Sequence, residues 1–195
     1  LRGKAQGVTA ILKYPLRLLS VQQVQRVSNI LASAEVIRRR ANLFGDQFAL
    51  GYFVGEHSTP NSINKEDAKT YLDMSQDELD EKYKLLDVCP YCKQLSVHVV
   101  YDPVRNSLIH KCDNADCKSG GIIPLYMVDD DVYRFLPPVI ISTVDKMTAI
   151  GFNSRFHNIL CGAEFKCPKH GYTDKLKCLV DGCDCDTSEY ERVQM

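Results

Sequence analysis

The chain has 195 residues, of which 45% are hydrophobic and 25% are charged, and its formal net charge is −1. A chain of this size can bury a real core, so we expect one main domain with a small appendage. Its near-neutral charge excludes the global basic surface of a dedicated nucleic-acid binder, so any such binding must be local. No apolar run approaches the roughly 18 residues of a membrane-spanning helix, and the polar start is no signal peptide, so we expect a cytoplasmic protein without membrane contact. Because Leu1 is not a methionine, we expect a fragment of a longer protein.

The chain begins with a pattern that predicts a strand followed by a long helix. Residues 8–14 form an apolar run typical of a buried strand. Ser20 is a good N-cap for the helix, and Gln23 completes a capping-box pattern. One apolar stripe then recurs at helical spacing, formed by Val21, Val24, Val27, Leu31 and Ala34. We predict that Gly45 stops this helix.

Further strands and helices complete an α/β pattern. Residues 48–54 predict a second strand that ends at Gly55. The charged, helix-favouring residues 65–86 predict a helical insertion at the surface. A third core strand is predicted at Val139–Thr143, with a helix through about 144–160 after it. The sequence therefore predicts an α/β fold with a sheet of about three strands.

The nine cysteines of the chain all fall between Cys89 and Cys185. A disulfide framework would normally show an even count, spread through a small secreted chain. Here the count is odd and the cysteines form short-range pairs, which favours metal binding in a reducing compartment.

The first cysteine cluster predicts a zinc ribbon at residues 87–127. Cys89 and Cys92 share one tight turn, and Cys112 and Cys117 share a looser one. The residues between the two turns alternate like a β-hairpin. Four sulfur ligands in a tetrahedron favour zinc, and a closed four-ligand site is structural rather than catalytic.

Two alternatives remain open for this cluster. The cysteines could be free buried thiols, or Cys89 and Cys92 could form a redox pair, although a second distant cysteine pair argues against the latter. We interpret His98 and His110, which flank the hairpin, as surface or packing residues rather than ligands.

The second cluster offers six candidates for four places: Cys161, Cys167, His170, Cys178, Cys183 and Cys185. The first choice is Cys167, His170, Cys178 and Cys183, because the Cys178–Cys183 gap repeats the Cys112–Cys117 gap. Cys185 could displace Cys183 by a short register shift, and Cys161 is predicted to be a buried thiol. The alternative is a tail with an incomplete ligand set.

Three short segments resemble motifs of superfamily-2 helicases. The segment PLRLLSVQ at residues 15–22 is similar to the family's P-T-R-x-L-x-x-Q, with Leu16 in place of threonine. The segment VIISTVDKM at residues 139–147 looks like the family's strand followed by T-P-x-x-L, with Val144 in place of proline. Gly55 stands where the family places a glycine-containing backbone contact. The amino-acid sequences of these segments most resemble those of the DISARM-type helicases of bacterial phage defence.

The resemblance implies the middle of a first RecA-like motor domain with zinc-binding insertions. Its parts would be a RecA-like strand–helix–strand at 1–64, the helical insertion at 65–86, the zinc ribbon at 87–127, a RecA-like continuation at 128–160 and a second zinc-binding segment at 161–195. It also implies that Arg17, Ser20, Gly55 and Thr143 contact the backbone of a DNA or RNA single strand.

The same resemblance implies that ATP and magnesium bind only to the intact parent protein. No G-x-x-x-x-G-K-[ST] phosphate loop occurs in the chain. No Asp-Glu-x-His string occurs either, and Asp129–Asp131 lie in the wrong context to replace it. We therefore expect this chain alone to be inactive as an ATPase.

The proposed nucleic-acid contacts have a physical rationale, and two other functions of the chain remain as hypotheses. Ser20 and the free N–H groups of a helix N-terminus, with Arg17 beside them, would form an anion site; without the resemblance, Arg17 would be interpreted as a solvated surface arginine. The second hypothesis is a non-catalytic zinc-ribbon adaptor that binds nucleic acid or a protein. The third, a hydrolase with Cys161 as nucleophile, lacks an obvious histidine partner.

Overall fold

The computed structural model describes residues 7–55, 59–148, 154–180 and 183–193, and the side chains of Arg17 and Cys161 lie outside that description. Its elements follow in chain order: β1 Ala10–Tyr14, α1 Arg17–Arg40, β2 Leu50–Phe53, α2 Lys65–Asp73, α3 Gln76–Tyr83, β3 Val97–Asp102, β4 Ser107–Cys112, β5 Ile122–Ile123, β6 Leu125–Tyr126, α4 Asp129–Phe135, β7 Val139–Thr143, α5 Val144–Thr148, β8 Phe165–Cys167, β9 Gly171–Thr173 and β10 Glu191–Arg192. A single π-helical turn spans Asn158–Gly162, and a 3-10 turn spans Thr187–Glu189.

A parallel sheet in the order β1-β7-β2-β6 forms the centre of the molecule. In its register, Tyr14 lies opposite Thr143, and Phe53 lies opposite Ser142, so three strands end at one edge, the carboxyl edge. Strands of parallel sheets are buried on both faces and read as continuous apolar runs, which fits the fully buried β2. The predicted α/β class is confirmed, with a fourth strand, β6, added to the expected three.

The helix α1 starts earlier than the sequence predicts. Its N-cap is Leu16, which gives no side-chain cap, and the N–H of Ser20 donates to the Leu16 carbonyl inside the first turn. The Ser20 hydroxyl lies 3.1 Å from the hydroxyl of Tyr52, a fully buried residue of β2. The prediction of Ser20 as an N-cap is therefore wrong, because this residue packs against the sheet.

The helix α1 also ends before Gly45, which corrects the predicted stop. Asn42 takes a left-handed conformation with φ of 50°, and its N–H donates to the Arg39 carbonyl. The Leu43 N–H donates to the Arg38 carbonyl, which completes a Schellman motif. Asparagine tolerates this conformation better than most residues, so it ends the helix without a glycine.

The sheet is covered on both faces. On one face α1 and the cysteine-bearing hairpin share a core that includes Val24, Tyr52 and Leu86. On the other face α4 and the last part of the chain pack around Phe53 and Ile140. The single helix predicted at 144–160 is wrong in the described residues: α5 ends at Thr148, a separate π-helical turn follows at Asn158–Gly162, and residues 149–153 lie outside the description.

The helical insertion between β2 and the hairpin consists of α2 and α3. Each helix begins with a capping box, Asn64 with Asp67 and Ser75 with Glu78, as their short lengths require. Side chains of α3 then cover the free edge of β3. None of the helices in the described ranges is both long enough and apolar enough to cross a membrane.

Candidate metal centres and the carboxyl edge of the sheet

Two tight turns bring the first four cysteines together. The Cys89 carbonyl accepts from the N–H of Lys93, whose φ is 64°, and this closes the first turn. The Cys117 N–H donates to the Asn114 carbonyl in the second turn. The strands β3 and β4 pair in antiparallel register, and Cys112, the last residue of β4, is thereby placed beside the first turn.

The sulfur spacing matches one bound metal ion. The Cys89 and Cys117 sulfurs lie 3.6 Å apart, as do the Cys92 and Cys112 sulfurs, and all four sulfurs lie within 4.8 Å of one another. Tetrahedral zinc with Zn–S bonds of about 2.3 Å would hold sulfurs about 3.8 Å apart, whereas a disulfide needs about 2.05 Å. The cluster could therefore hold a metal ion, and its four cysteines are free thiols.

Within the first cluster, hydrogen bonds favour the thiolate, the form that binds metals, at Cys92, whereas burial raises the pKa of Cys89 and of Cys112. Burial raises the pKa of Cys92, but the Gln94 N–H and the Asn114 amide outweigh burial and lower the pKa to about 6. The Ser96 hydroxyl lies 3.2 Å from the Cys112 sulfur. Such outer contacts orient ligands and stabilise their charge.

The two nearby histidines have packing roles, as predicted. His98 lies between Asp80, at 2.8 Å from its Nδ1, and Asp113, at 3.2 Å from its Nε2, and so fastens α3 to the second turn. His110 is fully buried and accepts the Leu85 N–H at 3.0 Å. Burial lowers the pKa of His110 to about 3, so its imidazole is neutral.

The second cluster assembles the first-choice ligands. Within the described residues, the ligand atoms of Cys167, His170, Cys178 and Cys183 lie within 4.8 Å of one another. The Cys167 sulfur lies 3.7 Å from His170 Nδ1 and 3.8 Å from the Cys183 sulfur. Burial lowers the pKa of His170, which favours the neutral imidazole that metals bind.

Of the remaining two candidates, Cys185 lies beside this quartet, and its thiol interacts with the sulfurs of Cys167 and Cys183. Cys185 groups only with its neighbours Cys183 and Asp184, and its N–H donates to the Cys183 sulfur at 3.5 Å. The prediction that Cys185 could take the place of Cys183 therefore stays a prediction. The predicted buried thiol of Cys161 lies outside the described side chains.

The helix α1 is joined to both turns of the first cluster by polar contacts that the sequence did not reveal. Gln25 donates to the Val88 carbonyl at 3.0 Å and accepts the Val88 N–H at 3.3 Å. Lys93 donates to Asn29 at 2.8 Å, and Arg39 donates to the carbonyl that follows the second turn, at Lys118. These side chains lie off the apolar stripe of α1, so helical periodicity alone assigns them to solvent.

The residues predicted to contact nucleic acid lie around the carboxyl edge. Thr143 ends β7, and its hydroxyl accepts the Lys146 N–H at 3.4 Å. The backbone of Arg17 follows the end of β1, and its side chain lies outside the description. Gly55 follows β2, and a Cβ added there would meet no atom of the described residues within 4 Å, so within that part of the chain its backbone is open to approach.

Ser20 is at the same edge but does not offer the predicted anion site. Its side chain is fully buried against Tyr52, and its N–H already donates to Leu16. The edge therefore brings together the backbones of Arg17, Gly55 and Thr143, with Ser20 turned inward as a packing residue.

The fold and its clusters define an α/β domain built on a parallel sheet, with two cysteine-rich groups that could each hold a metal ion. No protein-family model matches the chain. The chain is 32% identical over 178 residues to the DISARM protein DrmA of Bacillus paralicheniformis, an alignment that covers 85% of this chain and 16% of that protein. The chain thus spans about a sixth of the curated relative that it matches.

Proposed function

We propose that this chain is part of the nucleic-acid motor of a DISARM-type antiviral defence protein. In this proposal its parallel sheet belongs to the first RecA-like domain of a superfamily-2 helicase, and its cysteine clusters hold structural zinc. The observation that carries the proposal is the shared carboxyl edge of β1, β7 and β2, where Tyr14 lies opposite Thr143 and Phe53 opposite Ser142.

This edge has the chemistry of a backbone contact. Ligands of open α/β sheets bind beyond the carboxyl ends of the strands. Thr143 supplies a hydroxyl there, Gly55 an open backbone and Arg17 a full positive charge. Contacts to phosphates position a strand without reading its bases, so the proposed binding is independent of sequence.

Zinc fits both clusters and has a structural role in this proposal. Four sulfurs would hold it in the first cluster, and three sulfurs with one imidazole nitrogen would hold it in the second. Neither ligand set leaves an open position for a substrate. Bound zinc would link the turns that carry its ligands, and so stabilise small hairpins that have little apolar core of their own.

ATP hydrolysis belongs to the parent protein in this proposal. The chain lacks the phosphate loop that would hold the nucleotide, and magnesium would bind with that nucleotide. In this proposal the chain contributes the surface that contacts the backbone of the nucleic-acid strand.

The test compares two variants of α1 in the full-length parent protein. Arg17→Ala removes the charge at the carboxyl edge, and Arg40→Ala removes one at the opposite end of the same helix. We expect Arg17→Ala to lower the affinity for a single-stranded oligonucleotide, to reduce the salt slope by about 0.7 and to lower stimulated ATPase activity. Equal behaviour of the two variants would overturn the proposed surface.

A non-catalytic adaptor is the second candidate, and one observation favours it. Leu16, Leu18 and Val144 are 64%, 70% and 45% exposed around the same edge. An exposed apolar group of this kind suits a protein partner better than phosphates. If the full-length protein binds no single strand, and Leu18→Asp removes a protein contact, the adaptor is the correct function.

A further inference from the structure

We propose that the second cysteine-rich segment carries an additional phosphate-binding surface, which we call the lysine groove. It is formed by Ser154, Arg155, Asn158, Lys175 and Lys177. These residues line a cavity of about 300 Å³ between the π-helical turn and the loop after β9. The inference rests on the proposed motor function, and it assigns to this segment a role beyond bracing the fold.

The charge of the groove is positive, and two of its cations are available. Lys175 and Lys177 are exposed, and neither forms an ion pair with another residue in the described part of the chain. Asp174 is the one acidic residue among those that line the groove. Arg155 pairs with Asp130 on α4, so its charge is partly offset.

The loop that carries the two lysines is held at both ends. The buried Thr173 ends β9, and its hydroxyl donates to the Lys177 carbonyl at 2.8 Å and accepts the Lys175 N–H at 3.4 Å. The other end of the loop is Cys178, whose sulfur belongs to the second cluster. Because the backbone is fixed in this way, the ligand need not order the loop backbone, and binding loses less conformational entropy.

A series of direct contacts joins the groove to the carboxyl edge. The Lys146 N–H donates to the Thr143 hydroxyl, and the Lys146 ammonium pairs with Asp129. The next residue of α4, Asp130, pairs with Arg155 of the groove. These contacts link Thr143 to the groove through neighbouring side chains, and in this proposal one nucleic-acid strand contacts both.

The polar groups of the groove suit phosphodiesters rather than bases. Its ammonium groups are strong phosphate partners, and the exposed Ser154 adds a neutral hydroxyl donor. No exposed aromatic ring lines the groove to stack on a base, among the residues described there. The ligand of the groove is thus the sugar–phosphate backbone of the same nucleic-acid strand that the carboxyl edge binds.

The experiment measures how tightly the full-length protein binds fluorescent single-stranded DNA and RNA of one mixed sequence at three salt concentrations. The double variant Lys175→Ala/Lys177→Ala is compared with Lys65→Ala/Lys69→Ala, which removes two exposed lysines from α2. We expect the groove variant to bind about tenfold more weakly at low salt, with a salt slope smaller by about 1.4, since each single-strand phosphate contact contributes about 0.7. The α2 variant should match the wild type, and Lys175→Arg/Lys177→Arg should restore binding.

The outcomes separate the groove from the motor function. If the wild type binds the oligonucleotides, Arg17→Ala weakens that binding and the two double-alanine variants bind alike, the proposed function stands. The phosphate-binding role of the groove is then wrong. If the wild type binds neither oligonucleotide, both fail. A groove variant that keeps oligonucleotide affinity and loses binding to polyglutamate would reveal a site for acidic proteins and overturn the nucleic-acid assignment.

Discussion

The carboxylate of Glu35 accepts the backbone N–H of Phe48 at 3.1 Å and thereby ties the end of α1 to the chain that enters β2. The Glu35 side chain is fully buried and also pairs with Arg38 at 2.8 Å and Arg39 at 2.7 Å. Burial alone would raise the pKa of Glu35, but the hydrogen bonds from Arg38, Phe48 and Arg39 outweigh it and lower the pKa to about 2. The carboxylate is therefore a charged joint between the helix and the sheet.

Replacing this carboxylate should make stability less sensitive to acid. A group whose folded pKa lies below its ordinary value of 4.5 stabilises the fold fully above that value, and the effect is lost as the pH falls toward 2. We expect Glu35→Gln to lower the free energy of unfolding by about 3 kcal/mol at pH 7. Urea unfolding of the metal-free wild type and variant from pH 7 to pH 3 measures this difference, because acid would itself release thiolate-bound zinc in that range.

The exposed Glu66→Gln on α2 is the matched control for that experiment and should change little at any pH. The gap between wild type and Glu35→Gln should shrink as the pH falls below about 5. A gap that stays constant with pH would show that the variant acts through packing rather than charge.

Metal content tests the two clusters separately. We expect two zinc ions per chain by elemental analysis of protein purified without added metal. Cys112→Ser should release one ion and loosen the ribbon while β1 and β2 stay folded, because the ribbon depends on the metal and the sheet on apolar packing. Cys178→Ser should release the other ion. A metal-free chain with a Cys89–Cys92 disulfide, found by mass spectrometry, would contradict the zinc assignment.

A pair of glycines isolates the contact between α4 and the second cluster. A Cβ added at Gly171, whose φ is 89°, would lie 2.3 Å from the Arg134 carbonyl oxygen, whereas one added at Gly120, whose φ is 72°, would meet nothing within 4 Å. Gly120→Ala should lower the free energy of unfolding by about 1–2 kcal/mol through backbone strain alone. Gly171→Ala should lower the free energy of unfolding by about 1–3 kcal/mol more, because the backbone at Arg134 must move to make room for the Cβ. Equal losses in urea unfolding would mean that the contact relaxes without cost.

The isolated chain should not hydrolyse ATP. It lacks the phosphate loop and the magnesium-binding groups that phosphoryl transfer requires. A sensitive phosphate-release assay, with and without a single-stranded oligonucleotide, checks this expectation. Turnover that persists through successive purification steps would show that the nucleotide site lies within these residues.

Local chemistry explains what the sequence could predict. The turns that hold Cys89, Cys92, Cys167 and His170 form within a few residues, so their spacing in the sequence predicts that they lie close together. The strand at Val139–Thr143 was also correctly bounded, because the proline pair before it and the apolar run are local signals.

Long-range contacts explain what the sequence could not predict. Ser20 has a cap-like pattern, but its hydroxyl finds Tyr52 in β2, and no local rule contains that partner. The strand β6 is two residues long, too short for periodicity, and exists because Leu125 and Tyr126 pair with β2. The proposed lysine groove has no local signal either, because the segments on its two sides pack into one core through Phe156, Ile159 and Tyr172.

The position of the helical insertion and ribbon between β2 and β6 has a kinetic consequence. The Leu50 N–H donates to the Pro124 carbonyl, so the two ends of the stretch 51–123 lie next to each other in the sheet. While that stretch is unfolded it is one long loop, and parallel pairing across such a loop is slow because closure entropy is lost before contacts form. A folded, metal-bound ribbon presents its two ends already close together. If the ribbon folds on zinc as proposed, the supply of zinc during synthesis should set how fast the parallel sheet closes, and not only how stable the ribbon is.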